Sequence, residues 1–362
     1  MIDKQPSTSN SRVPPDGAVR GASSPRWALL GREAAVVGLA LLGAVLFTTL
    51  ILLASGTSAL VAFRLVLLGW LETPVKRADT IMVAAPLVLC AAGLTITFAA
   101  GLYNLGIEGQ VGLGGVFAFG AMRALPGLPP PLLWALAFAA GALGGALWAL
   151  VAALLKRYGR VSEIFAGLGL NFLATGVLLY LIAGPWKKPG SASVVSTEQL
   201  PKANWLPTFG TLRLAPIAPL LAVLALSGVW FLLARSRWGL SIRATGLNAS
   251  ASERMGVPTT RRMFESLALC GALAGLAGAV QVLAVFHALI PNVSSGIGLL
   301  ALLVVLLVNA RPIWVLPVAV IFAAFAVGSL QLPLALGADS SIAGVMQGAL
   351  VLFMLIARGL RR

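Results

Sequence analysis

Charge is what this sequence has least of. Asp, Glu, Lys and Arg make up 10% of its 362 residues, and only 11 of them are acidic, whereas a soluble domain carries roughly a quarter charged residues. So little polar surface cannot cover a fold for water, which excludes a soluble globular protein. The single histidine is His287, and the two cysteines, Cys90 and Cys270, lie inside apolar runs. That leaves no cluster with metal-ligand spacing. No Gly-x4-Gly-Lys-Ser/Thr loop occurs to cradle ATP phosphates. Neither a dinucleotide fingerprint nor a nucleophile constellation is present. The chain therefore reads as no enzyme, with no cofactor bound directly. Residues 1–33 lack an apolar core, so they are no signal peptide; rich in Ser, Pro, Gly and Arg, they read as a disordered cytoplasmic tail.

What is abundant is apolar. Hydrophobic residues make up 59% of the chain and the mean hydropathy is +0.96, so lipid must be most of its solvent. Apolar runs near bilayer-crossing length fall at 34–56, 80–100, 110–125, 132–155, 164–183, 214–234, 263–289, 297–308, 313–330 and 342–356, about ten segments in all. The stretch 58–77 carries Arg64, Trp70, Glu72 and Lys76 and reads as interfacial. The fold class is thus an all-α polytopic membrane protein, with residues 34–362 as its transmembrane domain.

The net charge of +15 sits in short segments between spans, as positive-inside segregation requires. No basic face with interleaved aromatics supports nucleic-acid binding. Four basic groups alternate onto one side: the tail, Lys156-Arg157-Arg160, the loop 235–262 with six arginines, and Arg358, Arg361 and Arg362. This places both termini in the cytoplasm and the loop 187–213 outside.

The stretch from Gly101 to Gln110 breaks the apolar pattern, and Glu108 is its anomaly. A charge at the bilayer centre costs at least about 2.5 kcal/mol on insertion scales, so such acids face a cavity or a partner. The glycines at 101, 106 and 109 loosen the helix and free backbone groups that the amides of Asn104 and Gln110 can satisfy. Glu108 is read either as a pathway residue, as a strut for a broken helix, or as a helix-end carboxylate paired with an arginine. Counting spans places it at an inner end. A second short, interrupted segment at 297–308 gives each half of the chain one broken helix, the pattern of a transport site at a repeat interface. Small residues at Gly141, Gly144, Gly145, Gly271, Ala274, Gly275 and Gly278 suit close helix packing. Glu163 and Glu265 read as interfacial partners of Arg160 and Arg262. In the loop 235–262, Asn248 reads as a helix N-cap and Gly256 as a stop.

The block Tyr103-Asn104-Leu105-Gly106-Ile107-Glu108-Gly109-Gln110 resembles a signature of permeases in nucleoside and simple-sugar ABC importers. The resemblance continues through Arg160–Ile164, Leu170-Asn171-Phe172, Gly184-Pro185-Trp186 and Trp238–Gly246, over roughly residues 35 to 360. Where the family has a phenylalanine–aspartate pair, this chain has Ser294-Ser295-Gly296. The resemblance implies a type II ABC importer-like fold in the bacterial inner membrane. It implies a substrate pathway at Tyr103, Asn104, Glu108, Gln110 and Asn171, with the helix break at Gly101, Gly106 and Gly109. Gly246, Leu247, Asn248, Glu253, Arg254, Met255 and Gly256 would form the coupling helix. Implied partners are ABC ATPase subunits that hold ATP-Mg, a second similar permease and an extracytoplasmic substrate-binding lipoprotein. Two other readings fit the residues: an ion-coupled secondary transporter with Glu108 as the ion site, and a membrane scaffold without transport.

Overall fold

The computed structural model describes residues 26–54, 56–188, 190, 196–210, 212–337, 339 and 341–359. Residues 1–25 of the tail and the terminal Arg361 and Arg362 lie outside them. Helix α1 (Arg26–Ala54) begins within the segment read as tail. There follow α2 (Ala59–Leu68), α3 (Pro74–Ala99), α4 (Ile107–Ala124), α5 (Pro130–Arg157), α6 (Glu163–Ala183), α7 (Ile217–Arg235), α8 (Arg237–Leu247) and α9 (Ala249–Arg254). The last are α10 (Thr259–Val280), extended by a π-helical turn Gln281–Phe286, then α11 (Ile297–Leu307), α12 (Pro312–Ser329), α13 (Leu332–Leu336) and α14 (Ile342–Gly359).

Among the described residues, six helical stretches are long and apolar enough to cross a membrane, and four shorter apolar helices accompany them. The stretch read as interfacial forms α2 and a short 3-10 turn ahead of α3. There Thr73 caps α3 by accepting from the Lys76 N–H at 3.2 Å, and Pro74 takes the first helical position, where no N–H is needed.

Helix α3 is apolar all round, and such a helix belongs inside a bundle; nearly all of it from Ala84 to Thr97 is buried. Its neighbour α10 approaches at Gly93, where an added methyl would lie 3.0 Å from the Cys270 carbonyl oxygen. On the other side of α10, the backbones of α4 and α5 close in through Gly114, Gly141 and Gly145, all against Gly275. Lipid tails are as apolar as leucine, so close van der Waals packing, not water exclusion, holds such a node together. Helices α6 and α7 flank it with largely exposed apolar faces, Phe165, Phe172 and Tyr180 among them. Helices α1 and α14 pack together, with Phe47 and Phe353 rings 6.2 Å apart.

Candidate functional site at the broken helices

The break after α3 is built by local chemistry. Gly101 takes φ +73°, the left-handed conformation that glycine adopts without a Cβ penalty. The Gly101 N–H then donates to the Phe98 carbonyl at 3.0 Å and Leu102 N–H to the Thr97 carbonyl at 2.9 Å, a Schellman ending. Asn104 and Gln110 face each other as a reciprocal amide pair. Asn104 Nδ2 donates to Gln110 Oε1 at 2.9 Å, and Gln110 Nε2 donates to Asn104 Oδ1 at 3.0 Å, both side chains buried. Asn104 also meets Cys270 Sγ at 3.2 Å and accepts from the Gly106 N–H at 3.2 Å. Asn171 on α6 staples the break from outside: its Nδ2 donates to the Leu105 carbonyl and its Oδ1 accepts from the Gly109 N–H, each at 2.8 Å.

Gly106 is the N-cap residue of α4, while Gly109 stands within that helix's first turn and not in the break. Its N–H is one of the orphan donors of a helix start, and Asn171 satisfies it.

Glu108 occupies the same first turn, where a negative group meets the positive end of the helix dipole. Its Oε1 accepts from the Leu299 N–H at 3.1 Å. Leu299 is the third residue of α11, whose own N-cap, Gly296 at φ +74°, offers no side chain. One carboxylate thus serves the starts of two helices. They diverge from it: α4 leads to Phe119, tilted against Trp186 just beyond α6, while α11 leads to Leu306, near Phe98 and Tyr103 at the end of α3.

Counting spans places Glu108 at an inner end; its cavity neighbours Ala174, Thr175 and Leu178 lie midway along α6. After Gly101 the chain doubles back, so that Gly106 packs on Gly167, about one turn into α6; counting apolar runs cannot register such a re-entrant turn. From the other side, α10 gives way through its π-helical turn to His287 at φ 52°, and 287–296 re-enters toward Glu108. Thr197 holds this segment: Leu289 N–H donates to Thr197 Oγ1 and Thr197 N–H to the Leu289 carbonyl, each at 3.0 Å. His287 stacks on Trp205 with centroids 3.8 Å apart.

A cavity of about 260 Å³ lies beside Glu108, walled also by Gly112, Thr175, Asn292 and Ser294. Glu108 Oε2 is buried and has no hydrogen-bond donor. Tyr103 is not here. It sits edge-on to Phe98 at 5.1 Å, in a separate cavity with Asn309. Among the described residues no cluster of three His, Cys, Asp or Glu is placed to hold a metal ion.

The basic loop 235–262 holds more helix than its sequence suggests. Asn248 caps α9, accepting from the Ala251 N–H at 2.9 Å, and Gly256 at φ +83° ends the turn. Ahead of it stands α8, tied to α10 because Glu265 accepts from Trp238 Nε1 at 2.6 Å and from Arg261 and Arg262 at 2.7 Å each. Glu163 pairs with Lys156 and not with Arg160. At the far end of α8, Gly246 lies directly on the break: a methyl on Gly101 would be 3.1 Å from Gly246 Cα. Leu247 and Met255 flank α9 at 89% and 84% exposure. Glu253 and Arg254 are exposed beside them.

Residues 77–355 match the family described as branched-chain amino acid transport system / permease component. The chain belongs to this permease family. The match spans most of α3 to α14 and so contains both broken helices and the basic loop. Among similar proteins is the guanosine ABC transporter permease protein NupP of Bacillus subtilis, 27% identical over 317 residues, covering 86% of this chain and 90% of that one. The nucleoside ABC transporter permease protein NupB of Lactococcus lactis is 24% identical, covering 82% and 84%. The putative glucose ABC transporter permease protein TsgC13 of Haloferax volcanii is 30% identical, covering 74% and 81%.

In this permease the Asn104–Gln110 pair gives a direct test of the frame. Asn104→Ala strands the Gln110 amide and the Gly106 N–H in a buried site, at a cost of about 1–3 kcal/mol. Thermal unfolding is expected to show a lower Tm for Asn104→Ala. Combining it with Gln110→Met is expected to cost less than the sum of the two single changes, because no side-chain amide is then left unpaired and only the Gly106 N–H stays stranded. Additive losses would show that the two amides do not act as a pair.

Three polar groups escaped the sequence reading: Thr175, Asn292 and Ser294. Thr175 carried a signal, lying one helical turn beyond Asn171 on the same face. Ser294 carried only its place where the resembled family has a phenylalanine–aspartate pair, and Asn292 carried no signal, since the re-entrant path of 287–296 brings it to Glu108.

Proposed function

We propose that this chain is the membrane-spanning subunit of an ATP-driven importer that moves nucleosides or simple sugars by alternating access. The cargo class rests on the names of the similar permeases. In this reading the chain makes about ten crossings or partial crossings of a bacterial inner membrane, with both termini and the loop 235–262 in the cytoplasm. ATP-Mg is bound and hydrolysed by separate ATPase subunits. A second, similar permease completes the pathway, and an extracytoplasmic lipoprotein delivers the cargo.

The observation that carries the reading is the contact of Gly246 with the turn 99–101. It joins a surface element fit for docking to the helix break that holds Glu108. Leu247 and Met255 are large apolar side chains exposed in a basic, polar segment, which suits insertion into a partner's groove. The pathway is assigned to Glu108, with Asn104, Gln110 and Asn171 framing the break.

Reconstitution in proteoliposomes with the ATPase and lipoprotein subunits tests this. Uptake of guanosine or a sugar is expected to require ATP and to survive an ionophore that collapses ion gradients. Uptake abolished by the ionophore at constant ATP would establish the ion-coupled alternative. No substrate-dependent ATPase activity with any partner set would leave the scaffold reading.

A further inference from the structure

The cavity beside Glu108 has a chemistry that narrows what it can hold. Its lining includes one carboxylate, the Thr175 and Ser294 hydroxyls and the Asn292 amide; the rest is glycine, alanine, leucine, valine and proline. No lysine or arginine lines it, so it offers no charge partner to a phosphate or a carboxylate, and Glu108 would repel either. It also has no aromatic lining residue on which a base could stack. The aromatic side chains of the signature lie elsewhere: Tyr103 on Phe98, Trp186 on Phe119, and Phe172 exposed on α6.

What Glu108 lacks in this cavity is a donor for its second oxygen. Glu108 Oε1 is engaged by the Leu299 N–H, while Oε2 is buried with no partner. A buried acceptor left unpaired is costly. A neutral ligand rich in hydroxyl donors completes it, and an acidic residue that accepts from ribose hydroxyls is a recurrent solution in nucleotide-binding folds. The volume, about 260 Å³, falls below the roughly 300–1,000 Å³ of sites for drug-sized molecules. It suits one sugar ring, with anything attached to that ring left outside. Gly112 keeps the space open, since nothing lies within 4 Å of where its Cβ would stand.

We infer that this cavity recognises the adjacent hydroxyl groups of a neutral sugar ring, free or as the ribose of a nucleoside, and not the base. The inference rests on the importer reading and deepens it. The Glu108 carboxylate accepts from one or both hydroxyls, while Asn292, Ser294 and Thr175 lie within the same wall to meet the ring oxygens. Discrimination would then fall on the sugar and spare the base.

Saturation-transfer NMR on the purified full-length chain tests it with ribose, guanosine, 2′-deoxyguanosine, guanine and leucine as probes. Saturation is expected on the sugar protons of ribose and guanosine. Guanosine is expected to bind at least about tenfold more tightly than 2′-deoxyguanosine, as when a hydrogen-bonding site meets an analogue lacking the hydroxyl. Gly112→Leu fills the cavity one helical turn from Glu108 and leaves the carboxylate itself in place, and both it and Glu108→Gln are expected to weaken guanosine binding by a similar factor. A Tm unchanged in Gly112→Leu shows that the loss is local. Equal binding of 2′-deoxyguanosine, binding of guanine or leucine in place of ribose, no saturation on ribose, or full binding by Gly112→Leu would each overturn the inference. The reconstituted importer separates the two ideas. ATP-driven guanosine or sugar uptake that persists in Gly112→Leu keeps the importer and removes this site, whereas failure of the native chain to import any of them removes the importer.

Discussion

Gly275→Leu is expected to yield almost no folded protein. Three helices meet at this residue, and each meets it through backbone. A Cβ on Gly275 would run into the Gly141 carbonyl and stand 3.1 Å from Gly145 Cα. Seen from the other side, methyls on Gly114 and Gly145 would lie 2.8 and 2.7 Å from Gly275 backbone atoms. Over-packing usually costs about 1–3 kcal/mol because side chains shift to make room. Here the obstacles are main-chain atoms of α4 and α5, so the helices themselves must separate. Separation removes the dispersion contacts that hold helices together in lipid, and a total stability of about 5–15 kcal/mol leaves little reserve. Size-exclusion profiles and thermal unfolding in detergent provide the measurement. Gly169→Ala on α6, where a Cβ meets nothing within 4 Å, is expected to behave as the native chain. A monodisperse Gly275→Leu protein with native Tm would refute the packing argument.

This node shows how far the sequence could be read. Glycines at 141, 145, 271, 275 and 278 announce close packing by their spacing, since small residues recurring on one helix face have few other uses in lipid. Which helix each one meets is a matter of tertiary contact, and periodicity carries no such information. The caps at Asn248 and Gly256 were legible because they are local, fixed by residues a turn apart. Helix α8 was hidden for the opposite reason. Its Arg237, Ser241, Arg243 and Thr245 interrupt any apolar run, so a search for bilayer-length segments passes over it. The break at Gly101 was visible, but its depth was not, since the chain turns back within the bundle. Glu108 meets Leu299 across 191 residues of sequence. Nothing near either residue signals that pairing except that both open a short helix after glycine. The Lys156 partner of Glu163 was missed in favour of Arg160, which is nearer in sequence.

Gly246→Val is expected to abolish uptake while leaving the permease folded and bound to its proposed ATPase. Gly246 ends α8 against the backbone of Ala99, Ala100 and Gly101, where a Cβ would stand 2.9 Å from Gly101 N. The other end of α8 is held to α10 by the hydrogen bond from Trp238 to Glu265. A side chain at 246 therefore tilts α8 about that anchor, away from the turn 99–101. That turn leads through a few residues to the Asn104–Gln110 pair and then to Glu108. Motion entering at Leu247 and Met255 has this glycine contact as its most direct route to the helix break. Loss of the contact is expected to lower uptake about tenfold or more, within the range of ordinary coupling energies. ATP hydrolysis is expected to continue without responding to cargo. Leu247→Ser and Met255→Ser separate docking from transmission, because these exposed side chains are the ones available to the proposed partner. They are expected to weaken ATPase capture on the permease, whereas Gly246→Val is expected to capture it normally. Native uptake by Gly246→Val would place the route elsewhere. Loss of capture in that variant would make the residue part of the docking surface, and the joint between α8 and the Glu108 break would then carry packing alone.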